Sequence, residues 1–488
     1  MTVAAGVRDV AAFVASAVVP DEARRIARTA FLDTIGVVLA GAVEPPARMV
    51  QAVCARVGET TGSRVLGTPL ITSTGDAALA NGTAAHALDY DDMCFVSLAH
   101  PSAPLVAGIL AVGEMVGAPG RDLLDAYVIG FEVECMLGRS VNPSHYARGW
   151  HCTSTLGSVG SAAAAARLLR LSSDATLHAL SIAASEACGL KENFGTMVKP
   201  LHAGLAGRNG AMAGLLAAQG FTASHHALDG RQGFIAATSD ETSGMAAAAA
   251  TLGSRWEIVE TGVTVKLYPS CAATHPPLDA LLGLRRRHGF TAEAIESIEV
   301  LVDPVTPGVL IHPEPRSGLE AKFSMQFCAA AAAVFGRVGI DTFDDARLSD
   351  PEVLRLLPRV RMRVDPELGR NAPSLTQAEV TVTTTDGGRF SARADGARGY
   401  PDKPPSEDEL DGKFRACAAR AIADEDVVEE VLARVHDLET LADVRILTLR
   451  LAEGSEPATG SGAIRRAAGP SSQESRTKQS PRAGTPRP

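Results

Sequence analysis

Residues 82–104, GTAAHALDYDDMCFVSLAHPSAP, bring His86, Asp89, Tyr90, Asp91, Asp92 and His100 close together in a chain otherwise rich in Ala and Val. Imidazoles and carboxylates at this density can shuttle protons as a general acid and base. His86 and Asp89 are three apart, so they share a helix face and can also grip a metal. The bland reading is a polar turn that caps a helix. Acids at a helix C-terminus oppose the macrodipole, which favours a site over a cap. All three readings stay open on spacing alone.

Four further stretches interrupt the apolar texture. SHYARGWHCTST carries His145, Tyr146, Arg148, Trp150 and His151. GTMVKPLHAGLAGRNG carries Lys199, His202, Arg208 and Asn209. VKLYPSCAATHPP carries Lys266, Tyr268, Ser270 and His275, and EAKFSMQF carries Glu320, Lys322, Ser324 and Gln326. Trp150 and His151 alone suit a core as well as a site. His275 stands where a helix start uses a cap. Lys199 in a Gly-rich apolar stretch either reaches water or meets an anion, and desolvation would lower its pKa. GLAGRNGAMAG follows no strand and lacks dinucleotide spacing. Neither a phosphate-binding G-x-x-x-x-G-K-[ST] nor a G-x-S-x-G elbow is present.

The elements that must position these residues change character along the chain. To about residue 260 the pattern is helical, and many helices carry Ala and Gly where a solvated face would carry Lys and Glu. That predicts central helices packed with close backbones, inside an all-helical domain over 1–264. From 265 to 396 the pattern alternates in SIEVLVDP, PRVRMRVDP and AEVTVTTTDGGRFSARAD, with Asp386-Gly387 as a hairpin turn. One helix, around EAKFSMQFCAAAAAVFGRVG, sits among these strands, so a smaller α+β domain is expected there. Residues 397–452 turn helical again and are expected to rejoin the first domain. Residues 453–488, rich in Ser, Gly, Pro and Arg, are expected to be a disordered tail. The fold class is therefore mainly α, a large helical domain with an inserted smaller α+β domain.

Composition narrows the function. The chain has 488 residues and a net charge of −10, which does not suit a nucleic-acid binder or a partner of anionic lipid. The apolar runs are short and dominated by Ala, so no membrane span is expected. VAAFVASAVVP reads as an amphipathic first helix rather than a signal peptide, because it lacks a basic flank. The eight cysteines form no C-x-x-C pair, which points to free buried thiols in a reducing, cytoplasmic setting.

LDTIGVVLAG, NGTAAHALDYDD…HPSAP, GWHCTSTLGSVGSAAAAARLL, KPLHAGLAGRNGAMAGLLAAQGF, LYPSCAATHPPLDAL and AKFSMQFCAAAA, in that order, resemble the MmgE/PrpD family over roughly residues 5–450. The resemblance implies a homodimer using no metal or organic cofactor, with a site between a helical domain and a lid that binds a di- or tricarboxylate. Carried over by position, it implies catalytic roles for Asp89, His100, His151, Lys199 and His275. Tyr146 and Lys199 resemble the acid/base pair of the iminodisuccinate epimerase branch. Lys266, Arg208, His202 and Ser270 are expected to bind substrate. Two departures stand out. One extra residue separates Asp89 from His100 compared with the decarboxylase pattern, and Phe327 stands where several dehydratases and decarboxylases have a tyrosine. The expected activity is dehydration of a 2-methylcitrate-like hydroxy acid, with His100 or His275 protonating the departing hydroxyl. The alternatives are epimerisation of a dicarboxylate, cis-aconitate-type decarboxylation and carboxylate binding without catalysis.

Overall fold

The computed structural model describes residues 5–57, 62–241, 244–370 and 376–452. The expected tail at 453–488 lies outside the described residues. Its principal helices are α1 (Ala5–Ser16), α2 (Asp21–Ala42), α3 (Thr74–His86), α4 (Ser102–Val116), α5 (Gly120–Val141), α6 (Cys152–Leu168), α7 (Ser173–Glu186) and α8 (Val198–Ala218). After them come α9 (His275–His288), α10 (Met325–Phe335), α11 (Glu407–Ala418) and α12 (Glu425–His436). The fold is mainly α.

Small residues let the central helices touch. α3, α6 and α8 are buried on most sides. A Cβ at Gly82 would lie 2.8 Å from the Gly204 Cα, and one at Gly204 would lie 2.3 Å from the Leu79 carbonyl oxygen. No side chain fits between α3 and α8, so His86 at the end of one helix meets Lys199 at the start of the other. Ser73 begins α3 by accepting the Asp76 amide at 3.2 Å. The helix stops at His86, so the acids at 89–92 lie in the turn beyond it rather than on its last turn.

One hydrophobic core unites Val7, Phe31, Leu105, Phe131, Leu156 and Ile258 with Leu410, Phe414 and Val431 of α11 and α12. A second core, with Leu278, Ile298, Val300, Phe327, Ala330 and Val380, belongs to the α+β segment. Its sheet contains β1 (Ile295–Val302), β2 (Val360–Val364), β3 (Gln377–Thr384) and β4 (Arg389–Asp395) in the order β2-β1-β3-β4. β1 runs parallel to β2, while β1–β3 and β3–β4 are antiparallel. The β3–β4 hairpin turns at Asp386-Gly387, where Gly387 has φ 87° and the Thr384 amide donates to the Gly388 carbonyl at 2.9 Å.

Among the described residues no single helix is long and apolar enough to cross a membrane. Six of the cysteines are buried, but Cys188 is exposed and Cys271 half-buried, which corrects the expectation of uniformly buried thiols. Because a methyl group at Gly204 would overlap a helix carbonyl, Gly204→Ala should lower stability by about 1–3 kcal/mol. Urea unfolding checks this, and an unchanged midpoint would contradict the close crossing.

Candidate active site

The turn after α3 is held in an uncommon conformation. Asp89 has φ 52°, in the left-handed region that Asp tolerates better than most residues. Three buried lysines grip three successive carbonyls of this turn. Lys322 Nζ donates to the Leu88 oxygen at 2.8 Å, Lys266 Nζ to the Asp89 oxygen at 2.9 Å, and Lys413 Nζ to the Tyr90 oxygen at 2.9 Å.

So aimed, the Asp89 carboxylate bridges two ammonium groups. Oδ1 accepts from Lys199 at 2.5 Å and Oδ2 from Lys266 at 3.0 Å. Burial opposes the charge on Asp89, but Lys199 and Lys266 outweigh it and hold the carboxyl well below the usual carboxylate range. Lys199 also donates to His86 Nε2 at 2.8 Å, and His86 Nδ1–H donates to Asp91 Oδ2 at 2.7 Å. His100 stands 3.3 Å from Asp91 and 3.8 Å from Asp89 through its two ring nitrogens. Its amide donates to Thr153 Oγ1 at 3.0 Å. Behind His151, the Nδ1 atoms of His151 and His202 share a proton contact at 3.0 Å.

Burial, against the pull of Asp91, pushes His86 down to about 4. Burial likewise lowers His100, and burial with Lys199 lowers His151 well below the ordinary imidazole value. The imidazoles are therefore neutral at pH 7. Tyr146 is pushed well above the ordinary phenol value by burial, so its hydroxyl keeps its proton.

Several of these groups line one cavity. Asp89, His100, Tyr146, His151 and Lys199 face it together with Cys271, Ala272, Phe194 and Phe323. An ammonium has three N–H donors. Two of those on Lys199 go to His86 and Asp89, and the third has no protein acceptor among the described residues.

Five expected site residues stand elsewhere. Lys266 lies behind Asp89, and His202 behind His151. Ser270 and His275 are buried behind the 271–273 wall: Ser270 Oγ bonds Thr274, and His275 Nε2 donates to the Ser270 carbonyl at 3.2 Å. Arg208 is a correction. It follows Lys199 by nine residues on α8, which is about two and a half turns, and so it leaves by the opposite face. It lines a separate groove with Arg64, Glu114 and Met212 and lies 3.9 Å from Asp76. Phe327 is also outside the cavity, packed on Phe343 in the second core, so the phenol expected at that position bears less on the cavity than Phe323 does. With the extra residue before it, His100 lines the cavity, in a loop where Cys94 and Ala99 form a bridge and Leu98 turns with φ 53°.

Sequence spacing understated Asp91, which joins His86 to His100, whereas Asp92 fixes the turn by accepting the Ser102 amide at 3.2 Å. It also missed Lys413. The signal was there: Leu410, Lys413, Phe414 and Cys417 share one buried face of α11.

His86, Asp89, Asp91 and His100 present ligand atoms within 4.8 Å of one another. They do not fit a metal, because the Lys199 and Lys266 ammonium groups already occupy the donors of Asp89 and His86. In a second group, Asp174, His178 and His225, the His178 Nδ1 accepts the Ala223 amide at 3.1 Å, which places its ring proton on Nε2.

A histidine with a depressed folded pKa adds no stability at high pH. It removes stability as pH falls from about 6.5, where the unfolded chain takes up the proton, toward the folded value. Histidine ¹⁵N NMR should therefore show His86 uncharged from pH 8 down to about pH 5, one unit above its folded value. An imidazolium signal from His86 above pH 6 would contradict the site.

Comparison with known proteins finds the MmgE/PrpD N-terminal domain over residues 8–244 and the MmgE/PrpD C-terminal domain over residues 268–438. The chain is 32% identical over 397 residues to cis-aconitate decarboxylase of Homo sapiens, covering 79% of this chain and 81% of that protein. It is 33% identical over 398 residues to that of Mus musculus, covering 78% of each chain. With cis-aconitate decarboxylase of Aspergillus terreus the identity is 27% over 391 residues, covering 75% and 79% respectively.

Proposed function

This chain belongs to the MmgE/PrpD family, and from that premise we propose that it is a lyase that decarboxylates a cis-aconitate-type unsaturated acid. The names of its relatives support this alternative rather than the expected dehydration of 2-methylcitrate. The observation that carries it is the Lys199 ammonium, held by Asp89 and His86 at the cavity with one N–H to spare.

In such an acid the departing carboxylate sits one carbon away from a C=C bond whose far end bears a retained carboxylate. Loss of CO₂ leaves its bonding pair as a new C=C. The old π pair moves to the carbon beside the retained carboxylate, which becomes an enediolate, and that carbon takes one proton. Lys199 binds the retained carboxylate and stabilises the developing negative charge. Tyr146 delivers the proton: it lines the cavity, and its hydroxyl has no hydrogen-bond partner among the described residues. Even a weakly acidic phenol can protonate a carbanion, which is a far stronger base.

Expelling hydroxide is a different demand. It needs an acid that already carries its extra proton at pH 7, and neither histidine expected to serve is held in the imidazolium form. His275 lies behind the cavity wall, where burial and then Lys266 lower it to about 3, and burial lowers His100. In the same reading the α+β segment closes over the substrate, and the enzyme works as a homodimer.

Proton NMR in D₂O tests the reaction. Each turnover should release one CO₂ and place one deuterium on the carbon beside the retained carboxylate. Vinylic signals from 2-methylcitrate without CO₂ would favour dehydration, and deuterium wash-in without product would favour epimerisation. Tyr146→Phe should lower kcat by about 10²–10⁴ with little change in KM. A kcat within twofold of the unsubstituted enzyme would remove Tyr146 as the donor.

A further inference from the structure

The charge around the cavity is small for a tricarboxylate. Among the described lining residues Lys199 is the one lysine, no arginine is present, and Asp89 and Asp303 are both acidic. Behind them, Lys266 is matched against Asp89, and Asp91 lies on His86 and His100. Lys322, also buried against this turn, spends N–H groups on the Leu88 and Pro269 carbonyls, and Lys266 spends its own on Asp89. Among the described lining residues Lys199 is thus the one ammonium that meets a ligand directly; it takes one carboxylate, and the His100 and His151 imidazoles take a second. A third carboxylate would be desolvated without a partner, which is costly. Arg208, the cation sequence reasoning assigned here, is on the other side of α8.

Much of the remaining lining is apolar, with Tyr146, Thr306 and Thr376 the polar exceptions. Met93, Phe95, Leu98, Val305, Val309 and Phe323 all face the cavity. Asp303 offers little to a ligand, because its oxygens already accept the Val305 and Thr306 amides at 2.8 and 3.1 Å and the Thr306 hydroxyl at 2.9 Å. A cavity with one lysine N–H to offer and a largely apolar wall recognises a molecule that is charged at one part and greasy at another.

We infer that the substrate is an unsaturated dicarboxylate carrying an apolar substituent where cis-aconitate carries its third carboxylate. This rests on the decarboxylase reading for the identity of the two remaining carboxylates. One is lost as CO₂ and the other meets Lys199. The substituent lies against Met93, Phe95, Leu98, Val305, Val309 and Phe323. Burying each added methylene should tighten binding about three- to fourfold until the space is filled.

Two unreactive compounds separate the substituent from the chemistry. Tricarballylate is glutarate with a carboxylate at carbon 3, and 3-butylglutarate has an alkyl chain there instead. Calorimetry on the intact protein should show 3-butylglutarate binding at least tenfold more tightly. Equal or weaker binding of the alkyl diacid, or no binding of either, overturns the inference. Val305 is 44% exposed, so Val305→Arg should fold, and it should shift the preference toward tricarballylate by tenfold or more. An unchanged preference would remove Val305 from the recognition surface and count against the inference. CO₂ release is measured separately, from 3-butylglutaconate and from cis-aconitate. Tight binding of the alkyl diacid with no CO₂ from either acid would sink the decarboxylase reading while leaving the substrate class standing. Faster CO₂ release from cis-aconitate would do the reverse.

Discussion

The Asp89 carboxylate, buried between the Lys199 and Lys266 ammonium groups, is the interaction on which the rest of the site depends. Desolvating such ions opposes folding by several kcal/mol each, and only close pairing offsets the cost. The chain meets that cost with geometry. Lys322, Lys266 and Lys413 each take one carbonyl of the 88–90 turn, and they come from three separate stretches of sequence. Lys413 also bonds the Lys266 carbonyl at 2.8 Å and pairs with the buried Asp33 at 2.6 Å. The turn is thus tied to α2, to α11 and to the α+β segment at once. A left-handed residue, sparsely populated in general, persists because its surroundings over-determine it.

The chemistry follows from that arrangement. Two lysines and one carboxylate in a dry pocket keep positive charge off the neighbouring imidazoles, since a second cation beside Lys199 is disfavoured. His86 and Asp89 then orient the Lys199 ammonium as hydrogen-bonding groups. In the proposed reaction this lysine supplies the charge that an enediolate needs, without waiting for solvent to reorganise. The aromatic rings of Phe194 and Phe323 lie 5.5 and 5.2 Å from Lys199 Nζ, so even the apolar lining favours a cation there.

Much of the helical architecture was legible in the sequence because its signals are local. Ala and Gly on several faces mark α3, α6 and α8 as central, and Asp386-Gly387 between alternating runs marks the β3–β4 hairpin. Asp89, His100, Tyr146, His151 and Lys199 were legible as polar residues in apolar surroundings. What spacing could not convey was depth and direction. Arg208 and Lys199 share a helix and a motif but point to opposite sides of it. His275 and Ser270 are a few residues from the cavity wall yet lie behind it. Phe323 and Phe327 are four residues apart, on either side of the Ser324 cap that starts α10, and only the first lines the cavity. Lys413 was hidden for a different reason. Its partners are carbonyls more than a hundred residues away in sequence, and no pattern in α11 names them beyond the oddity of a lysine on a buried face.

The most direct test of this account is the turnover of Asp89→Asn, measured as CO₂ release beside its unfolding midpoint. Asparagine keeps the shape of the side chain and favours the left-handed backbone, so the substitution acts through the charge, and leaving two buried ammonium groups without their counter-ion should also lower the unfolding midpoint. The account predicts a folded protein whose kcat falls by about 10²–10³, as for loss of a preorganised electrostatic group at the reacting centre. A folded Asp89→Asn variant with kcat within twofold of the unsubstituted enzyme would contradict it.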